Sequence, residues 1–470
     1  MRHARRRRAD PRHPRARRCD RRDGRGLRRE RLERHGRRRT RPRFAAQYRP
    51  PMLRTLDEQL RAVGAVAPDY TGRGLLGVPA TVLDAFGVRT SDDPPPLSDL
   101  DPSLLDGARQ IVVVLADGLG WSQMERFCAD GVTPFIGHLI ERARARDAAQ
   151  LMEATTVFPS TTAAAITTLH TARTPQEHGN MAYFVWLDEF EQVTQMLRWG
   201  PAIHRRGSYF DDPRIDARAY VKAPSIHGRL RERGVATYVI EPEVFRNEAM
   251  TRMHGREATY VGYQLPTTMG VLVRALVETR PHGSKGAYIY AYWAGIDTSS
   301  HLYGPASAEA AAEAASFDLN LARAVGDRNA GDTLMILTAD HGHAFTDPDR
   351  IVDLLGDDEL RSLLRNPIAG EPRLAFLHTD HAGPVRDHIE ARWPDTFILL
   401  SRDELLDAGF FGGRGDTSLA KRRVGEVCAM LATDRAARIM RVDGQDFRHR
   451  GSHGGLSPEE MRIPILAWRV

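Results

Sequence analysis

Asp297 and His301 are a pair of residues whose types and spacing could support chemistry. They lie in AGIDTSSHLYGP, residues 294–305, four residues apart, between an apolar run and the chain-breaking Gly304-Pro305. A helical turn or a folded loop could bring this carboxylate and this imidazole to one point. The two groups together suit a metal such as zinc, but one pair alone means little. Its significance depends on whether the rest of the chain supplies partners.

Two other apolar runs also end in an aspartate. IVVVLAD ends at Asp117, and LMILTAD ends at Asp340, which His341 follows directly. Such short, continuous apolar runs are typical of strands buried in a parallel sheet, and the run that leads to Asp297 forms a third. Because the carboxyl ends of parallel strands share one edge of the sheet, we expect all three acids to lie together there.

The segment GSHGGLSPEEM adds His453, between glycines and just before the last predicted strand. A strand-end aspartate alone is usually a turn or cap residue, and a lone histidine is usually not a ligand. The whole set of strand-end aspartates and nearby histidines is much less likely to occur by chance than any one of them. Six carboxylates and imidazoles suit two metal ions that keep open positions for substrate, with zinc favoured and manganese or iron as alternatives. The six candidate ligands are Asp117, Asp297, His301, Asp340, His341 and His453.

A binuclear site also needs a nucleophile, and VFPSTTAAAITTLHT, residues 157–171, supplies candidates. Thr161 and Thr162 precede a predicted helix of small residues, where free N–H groups and the helix dipole favour an anion such as phosphate. A metal bound to one of these hydroxyls would lower its pKa and make it a nucleophile. Ser160 or Thr161 could equally be an ordinary helix N-cap, and both interpretations can hold together.

The elements that must position these residues alternate between strand and helix. Predicted strands at 110–117, 235–242, 286–297, 332–340 and 461–468 are interleaved with predicted helices, chiefly at 133–146, 225–233, 267–280 and 307–326. This rhythm predicts an α/β fold of the alkaline-phosphatase-like type, a mostly parallel central sheet with helices on both faces and a small α+β insertion.

The expected domain organisation follows from where this rhythm starts and fades. Between 346 and 435 the pattern predicts an inserted α+β cap, with strands at 373–380 and 395–401 and helices at 383–393 and 418–431. The predicted units are an Arg-rich tail at 1–51, N-terminal helices and a linker at 52–107, a catalytic domain at 108–345 plus 436–470, and the cap at 346–435.

The net charge of +6 conceals an uneven distribution. Residues 1–50 hold 22 Arg and five acids, a charge of +17, so the other 420 residues carry −11. This tail lacks the apolar centre of a signal peptide, and no apolar run approaches the roughly 18 residues that span a bilayer. The three cysteines are too few and too scattered for a disulfide framework, so a cytoplasmic location is expected. The tail could bind nucleic acid or anionic lipid, but disorder or a misassigned start codon is favoured, so nucleic acid is not the expected partner.

These motifs, in this order, resemble the alkaline phosphatase superfamily and, within it, the nucleotide pyrophosphatase/phosphodiesterase (type I phosphodiesterase) branch. FPSTTAAAITTLHTARTPQEHG resembles the Phe-Pro-Thr-x-Thr motif of that branch, GIDTSSHLYGP its Pro-Asp-x-x-Gly-His-x-x-Gly-Pro motif, and TADHGH its Ser-Asp-His-Gly-Met motif. The resemblance covers about residues 108–345 and 448–470.

The resemblance implies a role for each matching residue. It places the nucleophile at Thr162, one zinc on Asp117, Asp340 and His341 with Thr162 bridging, and the other on Asp297, His301 and His453. The vertebrate-type enzymes have an Asn that stabilises the phosphoryl oxygens. Here Tyr183 takes its place and Asn180 stands three residues early, which leaves both as candidate substrate-binding residues. His343 replaces the usual Met and is expected to be structural.

The predicted function is two-metal hydrolysis of a phosphodiester or pyrophosphate bond in a small phosphate ester. Phosphonate or phosphomonoester hydrolysis and phosphoglycerate-mutase-like chemistry are alternatives, as is a catalytically silent nucleic-acid-binding protein. Sulfatase chemistry is disfavoured because no cysteine has a proline two residues later. The sequence leaves the substrate and the oligomeric state open.

Overall fold

The structure is a computed structural model that describes residues 55–255, 257–279, 284–325, 331–446 and 448–470. The predictions made for residues 1–51 lie outside these described residues. Of the N-terminal helices and linker predicted for residues 52–107, the part from residue 55 onward is within them.

The helices of the described residues match most of the predicted ones in place. Each has apolar residues that turn towards a core, and several begin with a side-chain cap or a proline. They are α1 (Leu56–Ala62), α2 (Gly77–Ala85), α3 (Trp121–Ala129), α4 (Pro134–Arg144), α5 (Thr162–Thr171), α6 (Pro175–His178), α7 (Ala217–Tyr220), α8 (Ile226–Glu232), α9 (Met269–Thr279), α10 (Gly295–Tyr303), α11 (Ala308–Val325), α12 (Asp358–Ser362), α13 (Ala382–Arg392), α14 (Arg402–Asp407), α15 (Ser418–Arg423) and α16 (Pro458–Met461).

The strands include every one predicted for the central sheet, together with several shorter ones. They are β1 (Gln110–Ala116), β2 (Ala149–Thr155), β3 (Phe184–Leu187), β4 (Gln192–Gln195), β5 (Gly200–Pro201), β6 (Val235–Pro242), β7 (Thr259–Tyr263), β8 (Gly286–Trp293), β9 (Thr333–Thr338), β10 (Ala344–Phe345), β11 (Ala369–Glu371), β12 (Leu374–Leu377), β13 (Phe397–Ser401), β14 (Val427–Leu431), β15 (Arg441–Val442), β16 (Gln445–Asp446), β17 (Gly451–Ser452) and β18 (Arg462–Arg469).

The central sheet has seven strands in the order β2-β18-β9-β1-β8-β6-β7. Strands β9, β1, β8, β6 and β7 are parallel to one another, and β18 runs antiparallel to both of its neighbours. Every residue of β1, β8 and β9 is buried, as expected for strands covered on both faces. The fold is therefore the predicted α/β fold with a mostly parallel sheet flanked by helices.

A second sheet of seven strands has the order β13-β14-β12-β11-β3-β4-β5 and is antiparallel. Four of its strands come from the region predicted as a cap. The other three, β3 to β5, lie between residues 184 and 201, far earlier in the chain. The Gly370–Phe184 pair of β11 and β3 joins the two segments into one sheet with its own hydrophobic core.

Two elements differ from the predictions. The helix predicted over 418–431 ends at Arg423, and residues Val427–Leu431 form β14 instead. Gly425 separates the two elements, and VCAML is fully buried between β12 and β13, so sheet pairing outweighs local helix propensity. The strand predicted to reach Asp297 ends at Trp293, and α10 begins at Gly295.

Candidate active site

The carboxyl edge of the central sheet carries two of the predicted acids directly. Asp117 is the first residue after β1, and Asp340 is the second residue after β9. Since β1 and β9 are parallel neighbours, these two side chains lie side by side. Both are buried, with exposures of 2% and 0%. The third acid reaches the same place by a different route.

Asp297 lies in the first turn of α10 rather than at the end of a strand, and His301 lies one turn later on the same helix. The Nε2 atom of His301 is 3.3 Å from Oδ1 of Asp297. Of the two arrangements that the sequence allowed for this pair, the structure has the helical turn. The short connection between β8 and α10 keeps the pair on the working edge of the sheet.

Gly118 makes the close approach between β1 and α10 sterically feasible. A Cβ atom at this position would lie 2.9 Å from Cα of Asp297 and 2.8 Å from Nε2 of His343. Its φ of +74° is also a conformation that side-chain-bearing residues rarely adopt. The glycine after Asp117 therefore allows the two halves of the site to meet.

The first cluster contains Asp117, Asp340 and His341, whose ligand atoms lie within 4.8 Å of one another. Nε2 of His341 is 3.3 Å from Oδ2 of Asp340 and 3.7 Å from Oδ1 of Asp117. The backbone N–H groups of Gly118 and His341 donate to the other oxygen of Asp340. Asp117 Oδ1 and Asp340 Oδ2 are buried and have no hydrogen-bond partner among the described residues. These two orphaned oxygens converge with an imidazole, as the donor set of a metal site would.

The second cluster is centred on Oδ1 of Asp297. Three imidazole Nε2 atoms surround this oxygen, at 3.3 Å for His301, 2.9 Å for His343 and 3.9 Å for His453. The ligand atoms of Asp297, His341 and His453 also lie within 4.8 Å of one another. Because His341 belongs to the first cluster, the two clusters adjoin. The rings of His341 and His453 stack with their centroids 3.6 Å apart.

Backbone carbonyls fix the orientation of the histidines. Nδ1 of His301 is 2.7 Å from the Gly451 oxygen, and Nδ1 of His453 is 2.8 Å from the Ser160 oxygen. A carbonyl oxygen only accepts, so each Nδ1 carries a hydrogen, and Nε2 of each ring is the nitrogen that can bind a metal ion.

The two Nε2 atoms of His301 and His453 lie 3.2 Å apart. Two Nε2 atoms at this separation, each in a ring whose Nδ1 is held by a carbonyl, can both bind one cation. Metal-ligating histidines commonly donate their other ring nitrogen to a carbonyl in this way. The residues of the second cluster therefore fit a metal ion.

The negative charge of the buried carboxylates at the site also favours the binding of cations. Burial and the neighbouring Asp340 and Asp297 carboxylates raise the pKa of Asp117 well above its usual range. Burial lowers the pKa of His453 well below its usual value, and the nearby histidines lower it further, so this ring is neutral. Buried carboxylates without cationic partners are strongly unfavourable, and divalent ions would balance them.

The predicted nucleophile region lies against the first cluster. Thr162 is the first residue of α5, with Thr161 as the N-cap, and its Oγ1 is 3.1 Å from Nε2 of His341. The Ser160 hydroxyl instead donates to the Gly455 carbonyl and accepts from the Gly454 N–H, which ties the loop that carries His453 to the start of the helix. Thr162 is therefore the hydroxyl that faces the clusters, and Ser160 is a structural partner.

A cavity of about 260 Å³ opens over the site. The residues that line it are Thr162, Tyr183, Phe184, Leu197, Asp297, His301, Glu371, Pro372, His449, Ser452 and His453.

Of the two candidate substrate-binding residues, only Tyr183 lines this cavity. The side-chain nitrogen of Asn180 donates to the Ala163 carbonyl at 3.0 Å and to Thr167 Oγ1 at 3.1 Å, so the amide is directed at α5. Asn180 is fully buried and contributes to the packing of α5 rather than to the cavity wall.

Three further residues contact the site, and sequence reasoning did not identify them as functional. Tyr292 donates its phenol to Asp117 Oδ2, His343 contacts Asp297, and Glu371 lines the cavity. A signal existed for Tyr292, which lies just before the predicted strand end, and for His343, two residues after His341. No signal existed for Glu371, because it belongs to the second sheet.

The sequence profile of the family described as type I phosphodiesterase/nucleotide pyrophosphatase matches residues 111–455. No curated protein matches the chain.

Among solved structures, murine ectonucleotide pyrophosphatase/phosphodiesterase 5 is similar, with a TM-score of 0.53 and 16% identity over 76% of this chain and 87% of that one. Phosphonoacetate hydrolase from Sinorhizobium meliloti, solved with phosphonoformate, has a TM-score of 0.54 and 18% identity over 77% of this chain and 91% of that one. At these identities the solved structures establish the shared fold.

No helix among the described residues has the length and apolar character needed to cross a membrane. The profile match spans well over half of the 470 residues and contains both clusters and Thr162. The chain therefore belongs to the type I phosphodiesterase/nucleotide pyrophosphatase family of the alkaline phosphatase superfamily, and this membership indicates a phosphoester hydrolase.

Proposed function

We propose that this chain is a two-metal phosphodiesterase or nucleotide pyrophosphatase that uses Thr162 as its nucleophile. The observation that carries the proposal is the 3.1 Å distance between Thr162 Oγ1 and His341 Nε2 at the start of α5. Around this contact, a hydroxyl, a helix N-terminus and two clusters of side chains that could bind metal ions lie close together. That combination supports attack on a phosphorus centre.

Two divalent ions are the cofactors we propose, with zinc favoured by the mixed carboxylate and imidazole donors. When bound, such ions lower the pKa of bound oxygen atoms and neutralise charge on a transferring phosphoryl group. The first ion would be held by Asp117, Asp340, His341 and the Thr162 oxygen, and the second by Asp297, His301 and His453.

The groups of the chain itself have defined tasks in this reaction. The Thr162 hydroxyl releases its proton to solvent, and its oxygen attacks the phosphorus in line with the leaving group, which takes up a proton from solvent as it departs. The P–O bond to the leaving group breaks with its electron pair, which gives a phosphothreonine. Water then attacks the same phosphorus, the bond to Thr162 breaks, and phosphate monoester and free hydroxyl are restored. The N-terminal N–H groups of α5 favour the negative charge on the phosphoryl oxygens throughout.

The cavity supports a small phosphate ester as the substrate. A volume of about 260 Å³ accommodates a phosphoryl group with a modest substituent. Murine ectonucleotide pyrophosphatase/phosphodiesterase 5 was solved, as an inactive variant, with AMP, and the bacterial phosphonoacetate hydrolase with phosphonoformate and phosphonoacetate. These ligands support a phosphorus-bearing anion at this site.

The proposal is tested by hydrolysis of bis-p-nitrophenyl phosphate after chelation and after reconstitution with zinc or manganese. Activity should disappear with the metals and return with them. Asp117→Asn should lose metal from the first cluster and most activity, whereas Asp130→Asn, at an exposed position on the end of α3, should match the wild type. Full activity of chelated enzyme with no bound metal would refute the proposal.

A further inference from the structure

Glu371 brings a carboxyl group from the second sheet into the cavity over the site. It ends β11, its exposure is 2%, and it lines the same cavity as Thr162 and His453. The Tyr183 backbone N–H donates to its Oε1 at 2.6 Å. Because β11 pairs with β3 at Gly370 and Phe184, the sheet itself fixes this bond.

The loop that carries His453 is shaped around this carboxyl side chain. A Cβ atom at Gly454 would lie 2.5 Å from Cβ and 2.6 Å from Cγ of Glu371, and the φ of Gly454 is +116°. Only a glycine fits against Glu371 here. The carboxyl is therefore held between β3 and the segment that supplies a predicted metal ligand.

Among the described residues, no cationic side chain forms an ion pair with the Glu371 carboxyl. The nearby Glu460 is itself paired with Arg373 at 3.1 Å, and the cavity also contains Asp297. Burial raises the pKa of Glu371 to about 8, and hydrogen bonds from the Tyr183 N–H and the Thr161 side chain oppose this rise only in part. A buried carboxyl of this kind keeps its proton near neutral pH and can act as a hydrogen-bond donor.

A donor is needed because the Asn180 amide faces away from the cavity. Asn180 is committed to Ala163 and Thr167 on α5, and the described residues that line the cavity include no lysine or arginine. We propose that Glu371 is a substrate-positioning residue whose carboxyl O–H donates a hydrogen bond to a non-bridging oxygen of the phosphoryl group. This inference rests on the proposed function, since it assumes that phosphoryl transfer occurs at Thr162.

The matched pair Glu371→Gln and Glu371→Leu tests this role in the metal-loaded enzyme. Gln keeps an oxygen for the Tyr183 N–H and presents a permanent N–H donor to the cavity, whereas Leu keeps the volume and loses both. We expect kcat for a diester to stay within about threefold of wild type in Glu371→Gln and to fall about 100-fold in Glu371→Leu, as when one donor to a developing charge is removed. Glu390→Gln, at an exposed position on α13, is the control and should change nothing.

Two other measurements separate this role from a merely structural one. Inorganic phosphate should bind to the zinc enzyme with similar affinity in wild type and Glu371→Gln, and at least about tenfold more weakly in Glu371→Leu. The rate ratio of Glu371→Gln to wild type should rise with increasing pH, because the wild-type carboxyl loses its proton and the amide does not titrate. This ratio remains informative if Glu371→Leu fails to fold.

Three results would overturn the inference: wild-type kcat in folded Glu371→Leu, equal loss in the Gln and Leu variants, or a Gln-to-wild-type ratio that stays flat with pH. If the wild-type zinc enzyme hydrolyses no diester, the proposed function fails, and phosphate binding by the three proteins still decides the role of Glu371.

Discussion

The Oγ1 atom of Thr162 lies 3.1 Å from Nε2 of His341, while Thr161, the preceding residue, is the N-cap of the same helix. Since Nδ1 of His341 lies 3.2 Å from the Gly342 carbonyl, its Nε2 has the lone pair that accepts the Thr162 hydroxyl. One residue of register at the start of α5 thus decides which threonine faces the ligand clusters.

Substitution of the two threonines should have very different effects. Thr162→Ala should lower kcat by about 10⁴-fold or more, as when a covalent nucleophile is removed, whereas Thr162→Ser keeps the oxygen and should retain measurable activity. Thr161→Ala should remain active and lose about 1 kcal/mol of stability at most, because the Thr161 side chain makes no capping hydrogen bond to α5. Metal content must be measured in each variant, because lost zinc would mimic lost chemistry. An inactive Thr161→Ala beside a fully active, metal-loaded Thr162→Ala would show that the register is wrong.

The enzyme should prefer diesters to monoesters. Among the described residues that line the cavity there is no arginine or lysine to bind a dianionic phosphate, and the Glu371 carboxyl adds no positive charge. The measurement is the ratio of kcat/KM for bis-p-nitrophenyl phosphate to that for p-nitrophenyl phosphate, at equal metal loading. We expect a ratio of at least about 10, which corresponds to about 1.4 kcal/mol of differential stabilisation. A strong preference for the monoester would contradict this prediction.

A buried histidine cluster away from the cavity should make the fold sensitive to acid. Nδ1 of His170 is 2.8 Å from Nε2 of His227, and the ring of His254 stacks on His170 with the centroids 4.5 Å apart. Burial lowers the pKa of both His227 and His254 from 6.5 to about 3. The folded state therefore binds fewer protons than the unfolded state, so stability is lost as the pH falls below 6.5 towards 3.

The same histidine cluster allows a quantitative test of the predicted loss of stability with falling pH. Each such histidine should reduce the free energy of unfolding by about 2 kcal/mol between about pH 7 and pH 5. His254→Phe keeps a stacked ring without a titrating group, so its loss over this interval should be smaller by about that amount. Urea unfolding of wild type and variant at both pH values gives the difference, with His138→Phe at an exposed position as the control. Equal acid losses in wild type and His254→Phe would show that His254 contributes nothing to the dependence.

Much of the site could be predicted from the sequence because its ligands follow local patterns. Asp117 and Asp340 follow buried apolar strands within two residues, and the parallel pairing of these strands brings their ends together. The sequence could not decide between a strand end and a helix at Asp297. Residues 295–303 form α10 instead of continuing the strand. Gly295, at the start of this helix, packs closely against Glu313 of α11.

The second sheet could be predicted only in part. Strands β3 to β5 are short and partly polar. The pairing of β3 with β11 joins residues nearly two hundred positions apart. No local pattern encodes such a contact. For the same reason the positions of Asn180 and Glu371 were not predictable, since both depend on which segment packs against α5 and the loop of His453.

Trapping of the covalent intermediate tests the central claim most directly. Metal-loaded enzyme is mixed with a diester, quenched with acid within one turnover, and digested, and the peptide containing residues 160–162 is sequenced by tandem mass spectrometry. The account predicts a phosphoryl group on Thr162 in the wild type and none in Thr162→Ala. A phosphoryl group on Ser160 or Thr161, or an active enzyme that never carries one, would contradict it.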